Sequence, residues 1–358
     1  MAAMRWSIFC RVVDNFGDIG FAWRLAADLA GRGEIVRLAV DDARALAWMA
    51  PDGAPGVDVV GWDHEMATLG DVLVETFGCG FPQHVVARLD ATAVPPVCID
   101  VEHLSAEDFV ERSHGLPSPH FSMAGEARPT WFFYPGFGER TGGLLREPGL
   151  LERRHDFGNG RDWLAAKGVA RREGERCVSL FCYENAAIDT LLGVLSQATT
   201  LLLLTPGPAT NQVLAVLGPD LRRGDLRAVR LPALTQPEFD RLLWSCDLNF
   251  VRGEDSLIRA IWAGAPFVWQ IYPQDDGAHA AKLDAFLDRF LQDAPALPAA
   301  GTRELFARWN GLCKGAAATR FALPEANAWA AHCRSWRDRL AGQHDLTTAL
   351  IEFVASKR

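Results

Sequence analysis

No apolar run in this 358-residue chain reaches the roughly 20 consecutive residues that a bilayer crossing needs, so no membrane-spanning helix is expected. The amino terminus also lacks a long apolar core followed by a small-residue cleavage site, which makes the cytoplasm the expected location. Eight cysteines stand at positions 10, 79, 98, 177, 182, 246, 313 and 333, with no Cys-x-x-Cys and no paired Cys/His spacing. That excludes the common structural zinc modules, and buried free thiols in a reducing compartment explain the set. Basic residues are outnumbered, 36 against 45 acidic ones for a net charge of -9. A protein that tracks phosphates usually carries a basic face, so nucleic acid is not an expected partner. Internal repeats, low-complexity tracts and long blocks of one charge sign are missing as well.

What the chain does have is apolar material for a large core, 49% of its residues, and at roughly 150 residues per domain its length fits two domains. Twelve tryptophans are expected to pack inside. The stretch that organises the rest is 249–256, Asn-Phe-Val-Arg-Gly-Glu-Asp-Ser. A strand-like apolar run ends at Arg252 and Gly253, and a helical period follows. Amides of Glu254, Asp255 and Ser256 would point out of the new helix, Gly253 allows close backbone approach, and Arg252 adds a fixed positive charge. A diphosphate suits that geometry. Two acids facing it would repel it, so Asp255 is assigned a capping role and Glu254 a sugar hydroxyl. The plain alternative is a well-capped helix in an α/β sheet.

Residues 6–13 read as a first strand buried on both faces. The loop 14–20, Asp-Asn-Phe-Gly-Asp-Ile-Gly, opens a helix that runs to about Gly31, and 35–40 is the second strand, closed by Asp41 and Asp42. Against the dinucleotide fingerprint G-x-G-x-x-G, Asn15 replaces a glycine, while Asp41 stands where a ribose-binding acid would. Asp14 and Asp18 place two carboxylates where a pyrophosphate would lie, which suits a substrate carrying a proton or a positive charge instead. Read structurally, Asp18 is an N-cap for a helix beginning at Ile19 and Asp14 a turn former. Strands follow at 57–60, 71–76 and 97–101. His103, His114 and His120 fit neither a zinc site nor a Ser-His-Asp set and are expected to face solvent. The aromatic segment 131–137 is a hairpin or lid that either lines an acceptor cleft or covers the core. Charged residues 147–158 read as an interdomain crossing, after which the α/β pattern restarts. Strands are expected at 177–181, 200–204, 229–231, 248–251 and 267–274, and helices at 162–168, 188–195, 213–217 and 239–244. A later helix presents Leu283, Phe286, Leu287, Phe290 and Leu291 on one face.

Taken together, the loop 14–20, the stretches 104–108 (Leu-Ser-Ala-Glu-Asp), 114–119 (His-Gly-Leu-Pro-Ser-Pro) and 141–147 (Thr-Gly-Gly-Leu-Leu-Arg-Glu), and 249–256 with 266–274 resemble one family. It is that of the protein-arginine rhamnosyltransferases acting on bacterial translation elongation factor P, called EarP. The similarity runs from the first strand to at least Gln274, and 121–130 holds no motif of the family. The resemblance implies a GT-B glycosyltransferase fold, two Rossmann-like domains facing across a cleft. Residues 1–155 would form the acceptor-side domain and 156–337 the nucleotide-sugar domain, with a last helix at about 338–358 packing back on the first. It implies an inverting transfer of L-rhamnose from TDP-β-L-rhamnose to one arginine of elongation factor P, without a metal or other cofactor. The family's catalytic aspartates fall on Asp14 and Asp18, the latter the favoured base, and its essential second acid on Glu254. Its nucleotide-side residues fall on Phe181, Tyr183, Gln236, Phe239 and Arg252 through Ser256. Two other classes stay open: a non-catalytic nucleotide-sugar-binding GT-B module, and a Rossmann oxidoreductase that would use Asp41.

Overall fold

The computed structural model describes residues 3–14, 16–121, 127–274, 277–292, 294, 297, 299–313 and 321–358. Asn15, the residue in the fingerprint glycine's place, lies outside them, as do 122–126 of the motif-free stretch and the side chain of His120. The chain forms two compact units, Met1–Pro148 with Ala341–Arg358, and Gly149–Leu340.

In chain order the first unit contains β1 (Arg5–Cys10), α1 (Gly17–Gly31), β2 (Ile35–Val40), α2 (Leu46–Met49), β3 (Val57–Gly61), β4 (Val72–Thr76), α3 (Gln83–Ala91), β5 (Val97–Val101), α4 (Asp108–Ser113), β6 (Pro117–Phe121) and β7 (Ala127–Phe133). The strands make one sheet in the order β3-β2-β1-β4-β5-β7-β6, parallel except for the β6–β7 pair. Alternation along β1 explains why its sequence is apolar throughout. Trp6, Ile8 and Cys10 enter one core layer with Val36, Leu38, Val72 and Val74, while Phe9 enters the opposite layer with Leu73, Trp62 and Val85. Successive crossovers run outward from β1 to β3 and then from β4 to β7, so the direction reverses between β1 and β4. Loops at such a switch point form a crevice at the carboxyl edge of the sheet.

The second unit contains α5 (Leu150–Asp156), α6 (Arg161–Ala166), β8 (Arg176–Leu180), α7 (Ile188–Leu195), β9 (Thr200–Leu204), α8 (Pro208–Leu217), β10 (Arg222–Arg223), β11 (Leu226–Arg230), α9 (Gln236–Ser245), β12 (Leu248–Arg252), α10 (Gly253–Ala263), β13 (Phe267–Gln270), α11 (Ala278–Leu291), α12 (Ala299–Trp309) and α13 (Ala326–Ala341). Its sheet has the order β10-β11-β9-β8-β12-β13, parallel apart from the short β10–β11 pair. Here the direction reverses between β8 and β12. Asn249 and Ser179, register partners on those two strands, are wholly buried, and the Ser179 hydroxyl donates to Asn249 Oδ1 at 2.6 Å. The pairing satisfies two polar groups in an otherwise apolar layer.

The chain re-enters the first unit for α14 (Leu346–Lys357). Asp345 caps it by accepting the Thr348 N–H at 2.9 Å. Arg32, just past the end of α1, holds the cap in place through Asp345 at 2.7 Å and Asp28 at 2.9 Å. Leu346, Leu350 and Val354 are fully buried in the same core layer as β1, each contributing about 1.5–3 kcal/mol by leaving water.

The structure refines several sequence expectations. Of the readings of the aromatic segment, the hairpin and the core hold for its first part: Trp131 to Phe133 belong to β7, which pairs antiparallel with β6 and parallel with β5, and Phe133 is completely buried. Residues 147–158 contain the boundary between the two units, at Pro148 and Gly149, and also the helix α5. His114 does not face solvent freely, because its Nδ1 accepts the Tyr134 N–H at 3.1 Å, and burial lowers its pKa to about 4. His103 is exposed, as expected, and stacks on Phe77 with centroids 4.5 Å apart. All eight cysteines are free thiols, six of them buried.

Candidate functional site

In the first unit the candidate acids sit in the turn from β1 to α1, at the switch point. Helix α1 begins at Gly17 with Phe16 at the N-cap and no side-chain cap, so Asp18 is not the N-cap but a residue of the first turn. Its carboxylate reaches back instead, Oδ2 accepting the amides of Val13 at 2.7 Å and Asp14 at 2.8 Å. The reason is the loop's tight return, closed by the Gly17 N–H donating to the Asp14 carbonyl at 2.6 Å. Asp18 is 8% exposed and held by charge-assisted hydrogen bonds, whereas Asp14 is half-buried beside it. Gly17 makes that approach possible, since a Cβ there would lie 2.7 Å from Asp14 Oδ2. Asp41 accepts the Val12 N–H at 3.0 Å and so braces the same loop.

The neighbouring strand ends add two more buried acids. Glu75 and Asp100 are register partners on β4 and β5. Glu75 accepts the Gly80 N–H at 2.6 Å, and Asp100 accepts the Gly78 N–H at 3.1 Å. Between these contacts Phe77 takes a left-handed φ of 60°, a costly conformation for a bulky residue that only a well-held loop keeps. Burial first, then the charges of Glu75 and Glu102, push the Asp100 carboxyl up to about 7. The sequence gives little warning of this pair, because each acid ends an apolar run as any strand-terminating acid would.

In the second unit the candidate nucleotide residues come from three separate turns that the topology gathers on the carboxyl edge of one sheet. Phe181 and Tyr183 follow β8, Gln236 and Phe239 open α9, and Arg252 through Ser256 join β12 to α10. The Arg252 guanidinium is 6% exposed and lies over the rings of Phe181 at 4.6 Å and Tyr183 at 4.5 Å. Phe181 meets Phe239 edge-on with centroids 5.3 Å apart. The cation is thus fixed between aromatic faces at the start of a helix, where peptide amides already favour an anion. Gln236 is buried in the first turn of α9, which is closed by a reciprocal cap between Thr235 and Glu238.

Within α10, Arg252 itself is the N-cap residue, with no side-chain cap. Asp255 therefore does not cap the helix; it lies in the first turn with Glu254, where the dipole favours an acid. Gly253 has φ 65°, which a side chain would strain. Strand β13, within the 266–274 stretch, supplies supports whose individual contacts the sequence did not indicate. The Trp269 indole donates to the Gly253 carbonyl at 2.8 Å, and Gln270 accepts the Tyr183 N–H at 2.9 Å while donating to the Glu184 carbonyl at 3.2 Å. Glu254 carries an ion pair with Lys282 at 2.8 Å. Among the described residues no group of three or more His, Cys, Asp or Glu is arranged to hold a metal ion, and no helix is long and apolar enough to cross a membrane.

Two doubly wound parallel sheets, each with its loops gathered at a switch point, are the two halves of the GT-B fold. The same fold is seen in the glycosyltransferase SnogD from Streptomyces nogalater, at TM-score 0.55 and 15% identity over 99% of this chain and 100% of that one. The sequence profile of the family described as Elongation-Factor P (EF-P) rhamnosyltransferase EarP matches residues 6–355. The protein-arginine rhamnosyltransferase of Pseudomonas aeruginosa is 40% identical over 381 aligned residues, covering 98% of each chain. A solved structure, from work on the structural basis for EarP-mediated arginine glycosylation of translation elongation factor EF-P, superposes with TM-score 0.70 at 32% identity, covering 99% of this chain and 100% of that one. The chain belongs to the EarP family of protein-arginine rhamnosyltransferases.

Proposed function

We propose that this enzyme moves L-rhamnose from TDP-β-L-rhamnose, with inversion at the anomeric carbon, to an arginine side chain of translation elongation factor P. The observation that carries the donor half is the Arg252 guanidinium, buried over Phe181 and Tyr183 at the amino end of α10. There the amides of Glu254 to Ser256 and the fixed cation would receive a diphosphate, and an aromatic ring among Phe181, Tyr183 and Phe239 would take the base. The acceptor half is assigned to Asp14 and Asp18, whose adjacent carboxylates suit a guanidinium. The acceptor itself comes from the family and from the relative whose structure concerns EF-P.

The chemistry has one demanding step. A guanidinium keeps its proton to above about pH 12 and carboxylates titrate near about 4, so Asp18 does not deprotonate the acceptor before reaction. In our reading the two aspartates grip the guanidinium and localise a lone pair on one nitrogen. That nitrogen forms the C–N bond as the anomeric C–O bond breaks, the bonding pair leaves on the β-phosphate of TDP, and the proton passes from nitrogen to Asp18. Since Oδ2 of Asp18 holds two loop amides, Oδ1 is assigned to the substrate. Charge on the departing TDP is met by the α10 amides and Arg252.

The test is to incubate the purified protein with EF-P and TDP-β-L-rhamnose, following TDP release and the anomeric configuration of the linked sugar by NMR. The proposal predicts TDP release that depends on EF-P, and an α-rhamnosyl arginine. A donor left intact in the presence of EF-P would instead support a binding module, and a β-linked sugar would exclude inversion.

A further inference from the structure

The first turn of α10 poses an electrostatic problem that the donor reading leaves unsolved. Glu254 and Asp255 are both favoured there by the helix dipole while the site is empty. An incoming diphosphate changes the situation, because a turn that carries two carboxylates then has to accept a further negative charge. Arg252 compensates for one of them.

The geometry points to a second compensating cation from another helix. Lys282 stands in α11, and its ammonium meets Glu254 Oε1 at 2.8 Å, with the two side chains only 18% and 19% exposed. Exposed ion pairs contribute little, but this one is largely withdrawn from water, where charges are screened less. With Lys282 present, the formal charges of Arg252, Lys282, Glu254 and Asp255 cancel; without it the turn is left with one net negative charge. We propose that Lys282 is a positioning residue of the donor site. It neutralises and orients Glu254 so that a turn carrying two acids accepts a nucleotide diphosphate. The inference rests on the reading of 252–256 as the donor end, and it deepens that reading by explaining how the acids are tolerated. A lysine also suits the task as a compact point charge on a flexible stem.

The experiment is a calorimetric titration with TDP, together with donor and acceptor KM values, for the full chain and its Lys282→Met, Lys282→Arg, Glu254→Gln and Glu254→Gln/Lys282→Met variants. Lys282→Met is expected to bind TDP about tenfold more weakly, equivalent to about 1.4 kcal/mol, and to raise the donor KM by a similar factor with the acceptor KM unmoved. Lys282→Arg should recover most of the loss. In the Glu254→Gln background, where Asp255 remains but Lys282 has no Glu254 carboxylate to neutralise and orient, removing Lys282 should cost less TDP affinity than in the wild type, about threefold or less. Wild-type TDP affinity in Lys282→Met overturns the inference, as does an undiminished loss in the Glu254→Gln background. A fall in thermal stability with unchanged TDP binding would likewise make the ion pair purely structural. Arg252→Ala is the control that separates the two levels. If it loses TDP while Lys282→Met does not, only this inference fails; if it too binds TDP normally, the donor-site reading falls and the inference with it.

Discussion

Gly17 shows how much a missing side chain can decide. Its α-hydrogen faces Asp14, and a methyl group there would sit 2.7 Å from a carboxylate oxygen, closer than real Cβ atoms approach. Gly17→Ala should therefore displace Asp14 while leaving the donor side alone. We expect TDP affinity within about twofold of wild type and transfer reduced by about 10²-fold, since roughly 1 Å of misplacement at a reacting group costs that much. Steady-state rates beside a TDP titration check this, and unchanged turnover would separate Asp14 from the reaction. At this scale the sequence was only partly legible. Asp14, Asp18 and Arg252 stood out because each interrupts an apolar period at a strand end. The contacts they make did not: Asp18 holds loop amides rather than capping a helix, Asp255 does not cap, and Lys282, 28 positions from Glu254, looks like any polar residue on an amphipathic helix.

Among the elements, α9 and α10 carry two parts of the proposed donor site and are joined by a buried charge pair. Arg259 donates to Asp240 through Nε at 2.8 Å and through a terminal nitrogen at 2.7 Å, with both residues at most 6% exposed. Breaking one side strands the other charge in the core, so Asp240→Ala is expected to cost about 3–5 kcal/mol. Urea unfolding would measure it, and a loss below about 1 kcal/mol, the range of an exposed pair, would contradict the role given to the pair. Element identity was largely readable, because strands such as β2 and β9 and the helix α7 have clean periods bounded by turn residues. Helix α1 starts at Gly17 rather than Ile19, since Gly17 and Asp18 look like cap residues until the loop's return is known. The segment 131–137 was harder to place because a run of aromatic residues carries no period of its own, and only three of its residues, Trp131 to Phe133, belong to β7.

For the molecule as a whole, the raised pKa of Asp100 makes stability depend on pH in a definite direction. Burial pushes its carboxyl up to about 7 in the folded protein against 3.8 for an ordinary aspartate, so the folded state binds the proton more tightly. That contribution is fully present below about pH 4 and is lost as pH rises toward 7, with a slope of at most about 1.4 kcal/mol per pH unit. His114 acts in the opposite sense. Held near 4 by burial, it is more easily protonated when unfolded, and its contribution is lost as pH falls from about 6.5 to 4. Subtracting the pH–stability profile of Asp100→Asn from that of the wild type isolates the first effect. The wild-type advantage should shrink between pH 4 and 7, and a difference independent of pH would show that Asp100 does not hold its proton. The most direct test of the central claim is mass spectrometry of EF-P after incubation with TDP-rhamnose and either wild type or Asp18→Asn, both saturated with donor. The account predicts one deoxyhexose on an arginine with wild type and at least about 10²-fold slower modification with Asp18→Asn, while equal modification by the two proteins, or a sugar on any other residue type, would contradict it.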